Sequence, residues 1–115
     1  MQEQTWYENV YVWTMKCWSC EKKTRLIRNV KQLKDENGIL STMSGELDYI
    51  IIKKIAKDHS AIFRPYLEMY DDPYACFCNK CDMVQGSYYL NCVIATKDNS
   101  KYWIDKSLIY SEISK

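Results

Sequence analysis

Two Cys-x-x-Cys steps stand far apart in this chain, Cys17-Trp18-Ser19-Cys20 and Cys78-Asn79-Lys80-Cys81. A two-residue spacer lets a tight loop turn both of its sulfurs toward one point. Two such loops supply the four thiolates of a tetrahedral Zn²⁺ site. A chain built this way must bring position 17 beside position 81, whatever it does in between. Cys17, Cys20, Cys78 and Cys81 are therefore the candidate ligands, and Zn is the expected cofactor. The expected role of the ion is structural, because four protein sulfurs leave no position open for water or substrate. Cys76 complicates the second loop, since Cys76-Phe77-Cys78 offers a thiol that could replace Cys78 as ligand. The spacer shared with the first loop favours Cys78 with Cys81. Cys76 and Cys92 then read as small buried apolar side chains.

What thiols do depends on compartment. Residues 1–5 lack a basic start followed by an apolar run, so no secretory leader is expected. Apolar runs such as 49–52 are far too short to cross a bilayer. A cytoplasmic protein without a membrane association is expected, in which cysteines bind metal or stay reduced. The 115 residues suit one domain, 1–115. Sixteen Lys and Arg against fifteen Asp and Glu give a net charge of +1. Proteins that grip nucleic acid mainly through phosphates usually carry a clear basic excess, and this chain has none overall, so any nucleic-acid contact would need a local patch. Ten Tyr and four Trp beside only three Gly and two Pro favour a sheet-rich fold.

Along the chain, residues 6–15 are dense in aromatic and β-branched side chains and read as a strand entering the first cysteine loop. Residues 24–30 read as its returning partner. Residues 31–38 are polar and end in the turn signal Asn37-Gly38. Over 45–57 a short helix is favoured, capped by Ser44, with Leu47, Ile51 and Ile55 on one face and Lys53, Lys54 and Lys57 toward solvent, although 49–52 also fits a buried strand. Residues 61–70 lead through Pro65 to a turn at Asp71-Asp72-Pro73. Residues 87–96 read as a strand with Leu90, Cys92 and Ile94 on one face. Residues 97–100 form a turn, 101–104 pair back as a hairpin, and 108–110 add a last strand or helical turn.

Strand, Cys-x-x-Cys, strand, insertion, Cys-x-x-Cys, strand resembles the zinc-ribbon superfamily, and the stretches 17–24 and 78–90 look like knuckles of small microbial zinc-ribbon proteins. The resemblance covers the two loops and their flanking strands. It implies that Cys17, Cys20, Cys78 and Cys81 close off the ion and that backbone amides point at their sulfurs. Two departures stand out. Typical knuckles carry Pro after the first cysteine and Gly after the second; here Trp18 and Asn79 take the first place, Glu21 and Asp82 the second. The expected fold is α+β, an antiparallel sheet built on a zinc ribbon with one short helix in the insertion.

No catalytic constellation accompanies the cysteines. His59 is the only histidine and reads as a solvated or helix-capping residue. The acidic pairs read as caps and turns, and no phosphate-cradling glycine loop is present. No small-molecule substrate is evident. The expected function is that of a non-enzymatic zinc-binding adaptor or regulator acting through a protein partner or self-association. Its interaction candidates are Trp13, Trp18, Lys22, Lys23 and Arg25, because exposed aromatics supply contact area with little loss of side-chain freedom. A nucleic-acid-binding ribbon is the alternative, resting on the cations near Trp18. A thiol-redox enzyme is the distant one: it needs a Cys-x-x-Cys at a helix start, whereas Cys17 follows a strand-like run.

Overall fold

The aromatic and β-branched run at the start of the chain forms β1, Thr5–Lys16, and turns through the first cysteine loop into β2, Lys23–Asp35. The computed structural model describes residues 4–66, 73–86, 90, 94 and 103–113. The β1–β2 hairpin stays in register from Thr5 opposite Lys34 to Lys16 opposite Lys23. β3, Gly38–Ser44, returns along β2 after a turn in which the Asp35 carboxylate accepts from the Asn37 amide at 2.8 Å. Gly38 takes φ +119° there, a conformation that a side chain would oppose. Helix α1, Tyr49–Asp58, follows, and then β4 Ile62–Pro65, β5 Tyr74–Phe77, β6 Val84–Gln85 and β7 Trp103–Ile113.

The strands form two antiparallel sheets. One has the order β3-β2-β1-β7, the other β4-β5-β6. β1 is central in the larger sheet, and Val10, Tyr11, Val12 and Trp13 are buried in succession. Burial of consecutive strand residues means that both faces of the strand are covered. The core gathers these residues with Leu26, Ile27 and Val30 of β2, Ile52 and Ala56 of α1, Cys76 of β5, and Leu90 and Ile94.

This architecture corrects the expected ribbon-based sheet. The first cysteine hairpin belongs to the four-stranded sheet and the second to the three-stranded one. The reason lies at the outer edge of β2. β3 occupies that edge from Val30 to Asp35. At Ile27 the edge is met by a side chain instead of a strand: the Cys76 thiol donates to the Ile27 carbonyl at 2.9 Å and accepts from the Ile27 amide at 3.4 Å. β5 therefore abuts β2 without joining its sheet.

Other expectations shift for local reasons. β2 continues through the polar residues expected to lie outside it. β3 carries mainly exposed residues, so no apolar alternation announces it. α1 begins later than expected, with Asp48 as N-cap; its carboxylate accepts from the Ile50 amide at 2.9 Å. The preceding amides are already committed. Gly45 donates to the Asn29 carbonyl at 3.1 Å, Glu46 to the buried Glu8 carboxylate at 3.1 Å, and Leu47 to the Asn29 side-chain oxygen at 3.0 Å. Ile52 and Ala56 consequently face the core, and Ile51 is exposed. His59 caps the helix C-terminus as expected.

Leu90 and Ile94 are helical, not extended, and the Leu90 amide donates to the Gly86 carbonyl at 3.0 Å, an i to i−4 bond. Residues 103–113 pair with β1, Met15 opposite Trp103 and Tyr7 opposite Ile113, so the expected hairpin with the preceding segment is replaced. The expected turns at 71–73 and 97–100 and the position of Cys92 fall wholly or largely outside the described residues.

Candidate metal centre

Each cysteine pair sits at the tip of a hairpin, one closing β1 to β2 and the other β5 to β6. The two tips fold alike. In the first, the Cys17 carbonyl accepts from the Glu21 amide at 3.0 Å, and the Cys17 amide donates to the Lys22 carbonyl at 2.9 Å. In the second, the Cys78 carbonyl accepts from the Asp82 amide at 3.0 Å, and the Cys78 amide donates to the Met83 carbonyl at 2.9 Å. Glu21 and Asp82 both enter the left-handed region, at φ 62° and 66°. This is the conformation that glycine ordinarily supplies at the end of such a loop. Side chains there cost on the order of 1 kcal/mol each. Asp82 also forms an exposed ion pair with Arg64 at 2.8 Å.

The tips bring the expected sulfurs together. The ligand atoms of Cys17, Cys20, Cys78 and Cys81 all lie within 4.8 Å of one another. Across the loops, Cys17 to Cys81 and Cys20 to Cys78 are both 3.7 Å. A tetrahedron with Zn–S bonds of about 2.3 Å has sulfur–sulfur edges of about 3.8 Å. The donor set and its spacing fit zinc, although sulfurs alone do not name the metal. Cys76 does not join the cluster, because its thiol is held by Ile27.

Amides surround the sulfurs. Ser19 donates to the Cys17 sulfur and Lys80 to the Cys78 sulfur, each at 3.3 Å, and Cys81 also donates to Cys78 at 3.5 Å. Gln85, fully buried, adds its side-chain N–H to Cys17 at 3.4 Å. These donors spread negative charge unevenly when the thiols are left to themselves. Burial pushes Cys78 up, but the Cys81 and Lys80 amides and the Cys20 and Cys81 thiols outweigh it and bring it down to about 6. Burial likewise opposes ionisation of Cys17, and the Cys20 and Ser19 amides, Gln85 and Cys81 lower it nonetheless. The Met83 amide draws Cys81 down, yet burial and the three neighbouring thiols drive it up to about 12. The cluster readily accepts its first negative charges and resists the last. A divalent cation at the centre reverses that resistance.

Two cross-ties lock the tips to each other. The Trp18 indole N–H donates to the Val84 carbonyl at 2.8 Å, and the Asn79 amide donates to the Thr24 hydroxyl at 3.0 Å. Trp18 and Asn79 hold the same place in their loops, and each reaches the strand that leaves the other loop. Sequence reasoning missed Gln85 and Thr24 as supports. The signal was available, since each stands four residues after the second cysteine of its pair.

The interaction candidates divide. Trp18 keeps 56% of its surface exposed, and Lys22 and Lys23 are exposed beside it. Trp13 is fully buried, with its indole N–H 3.0 Å from the Met15 sulfur, and offers no surface. Arg25 is half-buried and donates to the His59 carbonyl at 3.3 Å and the Thr14 hydroxyl at 3.1 Å, tying α1 to the sheet. Of the other rings near β1, Tyr11 is buried and Trp6 and Tyr7 are partly covered. No helix among the described residues is long and apolar enough to cross a membrane.

The folded chain thus presents a compact four-cysteine cluster at the junction of two hairpins. Compared with known proteins, it matches no family model, no curated protein and no solved structure.

Proposed function

We propose that this chain is a small zinc-binding protein in which a structural four-cysteine site holds two sheets together, and that it works as an adaptor or regulator by contacting another protein. The spacing of the four sulfurs carries the first half. Zinc bound there would supply a cross-link and a sink for four thiolate charges, with no open position for catalysis. Ser19, Lys80 and Gln85 would steady the sulfurs by donating to them. Protein purified without added metal should hold about one zinc per chain. A folded chain that holds no metal as purified and takes up none when zinc is supplied would overturn the site.

The contact surface is supported by Trp18, whose ring is fixed in orientation by Val84 and still more than half exposed. An ordered exposed tryptophan brings large contact area at little entropic cost. Native mass spectrometry tests self-association. Capture of a partner that is lost with Lys22→Ala and Lys23→Ala, while zinc content stays unchanged, tests the knuckle surface. A second reading, nucleic-acid binding, draws on Lys16, Lys22, Lys23 and Lys80, all exposed near the same tips. Strongly salt-dependent binding of single-stranded oligonucleotides would select it.

A further inference from the structure

Apart from the cysteine cluster, α1 and the start of β4 enclose a shallow trough of about 520 Å³. Ile50, Lys53, Lys54 and Lys57 line one wall, a helical stripe at i, i+3, i+4 and i+7, and Ala61 and Phe63 contribute to the other side. Among the described residues its lining contains three lysines and no acidic residue. The three lysines are exposed, and none makes an ion pair with a described residue. Ile50 is 63% exposed, an apolar side chain open to solvent on this side. Cations above an apolar floor match an acidic ligand that also carries an apolar anchor.

We infer that this trough docks an acidic segment of a protein partner, with an aromatic or aliphatic side chain seated between α1 and β4 and carboxylates against Lys53, Lys54 and Lys57. The trough is concave, with room for an apolar side chain, and a flat bilayer would meet only its rim. Nucleic acid would satisfy the lysines and leave the apolar floor unused. The surface is independent of the metal site, so either can fail without the other.

The test uses the full, metal-loaded chain and two fluorescent probes, a random copolymer of Glu and Tyr and a homopolymer of Glu, with binding read by anisotropy. The copolymer should bind saturably and at least about tenfold more tightly than the homopolymer, the difference one buried ring makes. Lys53→Glu with Lys54→Glu should weaken the copolymer about tenfold or more, as two attractive pairs become repulsive. Ile50→Ser should weaken the copolymer and leave the homopolymer unchanged. Lys22→Glu with Lys23→Glu should alter neither. These positions are exposed, so the variants should keep their thermal stability. Equal binding of the two polymers would reduce the trough to bulk charge and overturn the inference. So would equal losses from the Lys22 and Lys23 reversals. Preference for phosphatidylglycerol vesicles over the copolymer would replace the peptide with a membrane surface.

Discussion

A serine at position 76 can reproduce both hydrogen bonds that the Cys76 thiol makes to Ile27, so Cys76→Ser should cost at most about 1.5 kcal/mol. Cys81→Ser removes a ligand from a site whose metal contributes on the order of 10 kcal/mol in small domains. It should lose zinc and much of its folded population, and denaturation curves with metal analysis separate the two variants. Titration of the metal-free chain gives a second check with a defined sign. Cys78, held at about 6 against an ordinary 9.0, contributes stability that is complete above 9.0 and is lost as pH falls through about 6. Cys81, driven to about 12, contributes stability that is complete below 9.0 and is lost as pH rises toward 12. Metal binding needs every thiolate, so zinc affinity should fall as pH drops and protons compete, with release followed by a coloured chelator. A pH-independent affinity would exclude thiolate ligation.

At the scale of elements, the connection from β3 to α1 is set by side chains more than by propensity. Asn29 and Glu8 fix the backbone at 45–47, and a Cβ on Gly45 would collide with the Asn29 amide. Gly45→Ala should therefore cost about 1–3 kcal/mol, read as a lowered denaturation midpoint. An unchanged midpoint would show that Asn29 can move without loss. The same contacts explain what could be read in advance. The knuckles were legible because ligand spacing is a local constraint that four cysteines state directly. The β1–β2 hairpin was legible from its residue types. β3 was not, since an exposed edge strand has no core face to display. Leu90 and Ile94 misled because residues four apart share a face in a helix as well as in a strand. The helix onset was hidden because the residues that delay it lie far upstream, in β1 and β2.

Over the whole molecule, the candidate site cross-links two sheets that, among the described residues, also meet through the shared core, the Cys76 bonds to Ile27 and the cross-ties at the tips. Removing metal should therefore loosen the sheets unequally. After chelation, amides of β5 and β6 should lose hydrogen-exchange protection well before those of β1 and β2, whose long hairpin carries most of the residues of the shared core. Simultaneous loss in both sheets would mean that the metal supports a single cooperative unit. The pairing of β1 with β7 has a different consequence, one that concerns synthesis. β1 leaves the ribosome well before β7, yet one of its edges is completed only by residues 103–113. While the intervening chain is made, an apolar strand waits with unpaired amides and carbonyls on that side. Such an edge readily accepts a strand from a neighbouring nascent chain. Correct assembly is thus a race between a chain's own β7 and the β7 of a neighbour on the same message.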